Sequence, residues 1–252
     1  MNILKDIISL LGYLFITPFC ASKDAVLVYH SVGEIDREDD PYKVNVKPEL
    51  FARHVEYLFK RRRPNYILTF DDGFENLYTC AFPVLKKYRF RVILFLTTDF
   101  IDKRMKLDNF FGDRYSPNPL TWDQIKEMAS SGIEIGSHTL THRNMAALDD
   151  AAMGKEALDS RKRIEDITGC RVEAFSYPFG SRGTFNDRTT ELLKAFSYRA
   201  AYTNIMGMDN SKREPFKIKR IRIYGDDNIF RFRMKIAGAY NWVDRFANIF
   251  SR

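Results

Sequence analysis

The chain has 252 residues, 45% hydrophobic and 29% charged, a balance that excludes intrinsic disorder and leaves room for one large domain or two small ones. Its formal net charge of +7 favours acidic partners or an anionic membrane face, yet no nucleic-acid-binding motif accompanies it and no like-charge block exceeds Lys60-Arg61-Arg62-Arg63. Cys20, Cys80 and Cys170 are odd in number and widely spaced, which excludes a complete disulfide framework and a clustered thiolate metal site.

Residues 1–22 read as an apolar leader or a membrane-associated helix. The run from Ile7 to Ile16 is too short to span a bilayer, and Asp6 together with Pro18-Phe19-Cys20-Ala21 makes a poor signal peptide. Ala25 to Tyr29 is the first strand, followed by a loop to Pro41 and a helix from about Pro48 to Arg62. In that helix Leu50, Phe51, His54, Val55, Leu58 and Phe59 recur at helical spacing, so His54 is a packing or surface residue. Tyr66 to Phe70 is a strand, Pro83 to Tyr88 is helical, and Val92 to Leu96 is a strand apolar throughout, as expected where both faces are covered.

Asp99 to Pro119 lacks periodicity and is predicted to form a rim over a site. Thr121 with Gln124 predicts a capping box opening a helix that Gly132 ends, before a strand at Ile133 to Ile135. A long helix is expected from Asp149 to Thr168 and a strand near Glu173 to Tyr177. Next come a helix near Asp187 to Ala195 and strands at Arg199 to Tyr202 and Ile218 to Ile223. Residues 226–252 read as a C-terminal amphipathic helix. Its Phe230, Phe232, Tyr240, Trp242, Phe246 and Phe250 cover the body of the protein or touch a membrane. Without linkers or repeats, residues 23–225 form a single α/β domain of seven strands alternating with helices, in a mainly parallel sheet that is either open or closed.

Such folds gather chemistry at the C-terminal ends of their strands. Four strand ends here carry chemically useful residues: His30, Asp71-Asp72-Gly73, His138 with His142, and Pro178-Phe179-Gly180. Adjacent carboxylates are costly unless a positive charge lies beside them, and a divalent ion would supply it. His138 and His142 on one helical turn would face the same side. Two histidines and one carboxylate leave coordination positions open, the arrangement of a catalytic metal site rather than a structural one.

Thr69-Phe70-Asp71-Asp72-Gly73 and His138-Thr139-Leu140-Thr141-His142 resemble the first two motifs of the polysaccharide deacetylase family (carbohydrate esterase family 4, the NodB homology domain). Phe175-Ser176-Tyr177-Pro178-Phe179-Gly180 is similar to the third. The resemblance runs from about Val26 to Ile223. It implies an irregular (β/α)7-type barrel that removes acetyl groups from a carbohydrate polymer. Asp72, His138 and His142 would hold Zn²⁺, or Co²⁺ or another divalent ion, and Asp71 would be the general base. A backbone N–H between Tyr177 and Gly180 would hold the oxyanion.

The sequence also departs from the family pattern. Many members place an arginine against the base two positions before the motif's proline; here that position is Ser176. A late histidine acid is lacking too, which makes His30 the candidate acid, as in members similar to poly-β-1,6-N-acetylglucosamine deacetylases. Trp122 could stack on a sugar or simply pack. Arg220 and Arg222 could face an anionic glycan, although alternating basic residues on a strand are usually solvated. Competing readings are an O-acetyl glycan esterase, a non-haem Fe(II) oxygenase and a glycan-binding protein without catalysis. The expected location is the cell envelope.

Overall fold

The computed structural model describes residues 24–61, 65–107, 111 and 115–242; the expected leader (1–22) and the end of the tail, with Phe246 and Phe250, lie outside the described residues. The strands are β1 (Ala25–Tyr29), β2 (Ser31–Val32), β3 (Asn45–Val46), β4 (Tyr66–Phe70), β5 (Arg91–Leu96), β6 (Glu134–Ser137), β7 (Ala174–Ser176), β8 (Ala200–Met206) and β9 (Ile218–Arg222). Seven of them close a barrel in the order β1-β4-β5-β6-β7-β8-β9, with β9 returning to β1 and every pairing parallel. Of the open and closed alternatives, the sheet is closed. The short pair β2–β3 lies outside the barrel, and β2 falls in the stretch expected to be loop.

The outer ring comprises α1 (Pro48–Lys60), α2 (Phe82–Tyr88), α3 (Thr98–Ile101), α4 (Trp122–Ser130), α5 (Asp150–Gly154), α6 (Ser160–Thr168), α7 (Asp187–Ala195) and α8 (Ile229–Ile236). α1 starts with Pro48, whose fixed φ suits a first helical position. It buries Phe51, Val55 and Leu58, each contributing roughly 1.5–3 kcal/mol by leaving water. The Thr121–Gln124 capping box opens α4 with reciprocal bonds of 3.2 and 2.8 Å. The helix expected from Asp149 to Thr168 is one rod interrupted by a π turn, Lys155–Asp159, between α5 and α6. α8 lies against α1, where the Phe232 ring stacks on buried His54 at 3.9 Å.

Strand periodicity divides the residues between two cores. Side chains at every second position point into the barrel. Val26, Ile93, Phe95, Tyr202 and Ile218 form a small apolar plug distinct from the large core between strands and helices. In the same phase, Thr69 and Asp71 follow Ile67, Ser176 follows Ala174, and Arg220 follows Ile218. The barrel is therefore apolar low in its interior and polar above.

Gly136 is required inside the barrel because a Cβ there would sit 2.4 Å from the Phe95 ring. Gly136→Ala is therefore expected to lower stability by about 1–3 kcal/mol through overpacking, measured as a fall in Tm; an unchanged Tm would mean that the plug is loosely packed.

Candidate active site

Asp71 and Asp72 follow β4 directly and are both buried, yet their surroundings differ. Asp71 receives a bidentate pair from Arg220, at 2.8 Å on Oδ1 and 2.7 Å on Oδ2. The Ser176 hydroxyl accepts from Arg220 at 3.0 Å and donates to Asp71 at 3.1 Å. Nε reaches the Thr203 carbonyl, Nη1 also reaches the Thr69 hydroxyl, and Nη2 is shared with Asn204 Oδ1 at 2.9 Å. Burial alone would raise the Asp71 pKa, but the Arg220 guanidinium outweighs it and holds the carboxyl well below its usual range.

Asp72 has no such partner. Both of its carboxylate oxygens are buried without a hydrogen bond among the described residues. Burial, reinforced by the neighbouring Asp71 charge, pushes its pKa well up. The imidazole Nε2 atoms of His138 and His142 each stand 3.5 Å from Asp72 Oδ1, and the three residues form a group able to hold a metal ion. His138 Nδ1 lies 2.8 Å from the Ser176 carbonyl, which can only accept. That contact places the proton on Nδ1 and leaves the Nε2 lone pair turned toward Asp72. Burial lowers the pKa of both histidines, keeping them neutral as ligands must be. A carboxylate with two orphaned oxygens, one of them 3.5 Å from two imidazole nitrogens, is a donor set that fits a divalent ion.

The histidines do not share a helical turn. Residues 138–142 form a loop in which Thr139 and His142 adopt left-handed backbone, with φ of 71° and 56°. This bends the chain back, so that the imidazoles still converge with ring centroids 4.9 Å apart. Asp72 and Phe179 are left-handed as well, at 73° and 62°. Non-glycine residues hold this conformation only where the surroundings enforce it, and such strain concentrates at functional sites.

His30, half-buried at the end of β1, lies within range of the Asp71 and Arg220 charges. Burial lowers its pKa to about 4, against the opposing pull of Asp71. The turn after β7 forms the far side of the cluster. Phe179 is half exposed, with its ring 4.9 Å from that of His142. Gly180 could not be replaced without strain, since it has φ of 58° and an added Cβ would meet Asn204 N at 2.5 Å. Within this turn the Tyr177 N–H is taken by Tyr202 O and the Gly180 N–H by Pro178 O. Pro178 has no N–H. Phe179 is left as the donor that can face the site.

Trp122 is engaged elsewhere: its indole N–H donates to Asp102 at 2.8 Å and Arg163 lies over its ring, so it packs rather than joins this cluster. The segment expected to be a rim begins as α3 and ends beside the Asp-Asp-Gly turn, where Leu120 N bonds Gly73 O and Phe74 bridges Pro119. Arg220 is neither solvated nor turned toward a glycan; it is fully buried. The signal for this is its phase: Ile218 points inward, so Arg220 does too.

Comparison with known proteins completes the picture. A family profile described as polysaccharide deacetylase matches residues 60–201, more than half of the chain. The chain belongs to the polysaccharide deacetylase family. It is 29% identical over 222 residues to YxkH of Bacillus subtilis (strain 168), named a candidate polysaccharide deacetylase, covering 80% of this chain and 72% of that one. It is 26% identical over 200 residues to the poly-β-1,6-N-acetyl-D-glucosamine N-deacetylase of Escherichia coli (strain K12), covering 68% of this chain but 29% of that enzyme. The solved Streptococcus pyogenes deacetylase PplD, in complex with acetate, superimposes with a TM-score of 0.72 at 22% identity, covering 85% of this chain and 98% of that one. That likeness establishes the shared barrel. As a polysaccharide deacetylase the protein is a hydrolase, which removes the oxygenase reading.

Because Arg220 holds Asp71 ionised, weakening the pair should let Asp71 protonate at higher pH. Arg220→Lys keeps a charge but loses the bidentate fork. It is expected to move the acidic limb of the kcat/KM profile upward by roughly one unit. An unmoved limb, measured on folded enzyme, would show that Asp71 does not set it.

Proposed function

We propose that this chain removes N-acetyl groups from an N-acetylhexosamine polymer of the cell envelope, in a reaction that depends on a divalent metal. Asp72, His138 and His142 are the proposed ligands, Asp71 the general base and His30 the general acid. The observation that carries this reading is the unequal treatment of two adjacent carboxylates, Asp71 locked by Arg220 and Asp72 left with two buried oxygens that have no hydrogen bond, its Oδ1 beside two imidazoles. Zn²⁺ or Co²⁺ bound there would polarise the acetamide carbonyl and acidify a water.

The chain's own residues divide the remaining work. Asp71, ionised at neutral pH, takes the proton from the attacking water, and the Arg220 fork keeps its carboxylate from swinging toward the ligand group. The Phe179 N–H stabilises the tetrahedral oxyanion, held in place by the Gly180–Asn204 contacts. His30 delivers a proton to the departing sugar nitrogen. Its lowered pKa makes it neutral at pH 7 in this state, so the acid role requires it to gain a proton once substrate is bound. The half-exposed Phe179 ring offers an apolar wall to the acetylated sugar. Support for the substrate class comes from the E. coli relative, named for an N-acetylglucosamine polymer. The envelope is the expected place of work for such a polymer, and among the described residues no helix is long and apolar enough to cross a membrane.

Acetate release from N-acetylglucosamine oligomers tests the proposal. Metal-stripped protein should be inactive and should recover with Zn²⁺ or Co²⁺; full activity in the presence of a strong chelator would overturn the metal role. His30→Ala should lower kcat by about 10²–10⁴-fold with metal content unchanged, and full turnover in that variant would remove His30 as the acid.

A further inference from the structure

The histidine loop is held from behind by a residue outside every motif. Glu156 is buried on the π turn Lys155–Asp159. Its Oε2 accepts the backbone N–H groups of Leu140, at 3.0 Å, and Thr141, at 2.8 Å, and its Oε1 accepts the Thr141 hydroxyl. Four residues further along the same rod, Ser160 pairs with Ser137 through their hydroxyls at 2.8 Å. The Ser137 oxygen also accepts the Thr139 N–H. Both ends of the segment bearing the proposed ligands are thus gripped by one helix. The π turn adds a residue to the rod and breaks its ordinary phase, and such bulges are frequent at functional sites.

The two imidazoles depend on different supports. His138 is fixed by the Ser176 carbonyl behind its ring. His142 has its N–H bonded to Thr139 Oγ1 at 2.8 Å, and both residues are left-handed. That strained bend needs an acceptor for the adjacent half-buried N–H groups at 140 and 141, and the Glu156 carboxyl oxygen supplies it. Deleting the carboxylate would leave two half-buried donors without this acceptor and free the loop to relax toward ordinary backbone. The His142 ring would then move off the Asp72–His138 axis.

We infer that Glu156 is a positioning residue for the metal site, setting the reach of His142 through the backbone of Leu140 and Thr141. This rests on the proposed ligand set Asp72, His138 and His142. The test is Co²⁺ titration of the stripped protein, followed by its visible absorption spectrum, together with Tm measured without metal. Glu156→Ala is expected to weaken Co²⁺ binding ~10–100-fold, as loss of an outer partner of a ligand does, and to alter the absorption band. Glu156→Gln keeps an acceptor oxygen and should recover most of the affinity, and it serves as the readable variant if the alanine form fails to fold. Wild-type affinity and spectrum in folded Glu156→Ala would overturn the inference while leaving the ligand set intact. So would equal weakening by Glu156→Gln and Glu156→Ala, since a retained acceptor would then make no difference. A wild-type chain that gives no Co²⁺ spectrum would overturn the ligand set itself, and the inference with it.

Discussion

The site rests on one buried ion pair, Asp71 with Arg220, set inside the barrel above its apolar plug. Taking two charges out of water costs several kcal/mol each, and the cost is offset only where geometry is good and the other donors are satisfied. Here it is. The guanidinium reaches Asp71 and Thr69 on the β4 side, Ser176 on β7, and Thr203 and Asn204 on β8. A register slip in any of these strands would strand a buried charge, so the pair constrains closure of the barrel as well as chemistry. It also resolves the problem of two neighbouring carboxylates. Arg220 lowers the pKa of Asp71, while burial and the charge Asp71 retains raise that of Asp72 against the smaller opposing pull of Arg220.

Strain is distributed to match. Of the eight non-glycine residues with positive φ among the described residues, Asp72, Thr139, His142 and Phe179 all belong to the site. Each conformation costs on the order of 1–3 kcal/mol, and each is tied down by a neighbour. The Asp72 carbonyl accepts the Thr97 N–H, Glu156 and Ser137 hold the histidine loop, and Asn204 holds the Phe179 turn through its side-chain amide. Apart from a register shift between β8 and β9 within Tyr202–Met206, the barrel pairings run regularly, and the strained backbone sits where atoms must converge.

Most of the architecture was legible because the strands are short and apolar with charged or glycine-rich ends, and chemistry clusters where those strands stop. Asp71, Asp72, His138, His142 and His30 stand out by that rule alone. What was hidden depends on phase and on distance in sequence. Arg220 looked solvated because Lys217, Lys219 and Arg222 surround it, and only its two-residue step from Ile218 places it inward. Ser176 looked like a gap in the family pattern, but it is a hydroxyl bridge to an arginine supplied by another strand. Glu156 gave no signal, since a glutamate on an amphipathic rod is ordinarily solvated and nothing in the sequence announces a π turn. His138 and His142 converge through a left-handed bend at Thr139 and His142, a geometry that their helical spacing does not reveal.

The division of labour between the two aspartates is the centre of this account, and metal affinity separates them most directly. Equilibrium titration with Zn²⁺ of Asp71→Asn and Asp72→Asn, alongside the wild type, asks which carboxylate holds the ion. The account predicts one ion per chain at near wild-type affinity in Asp71→Asn, and binding weakened at least ~100-fold in Asp72→Asn. Loss of the ion in Asp71→Asn, or its undiminished retention in Asp72→Asn, would contradict it.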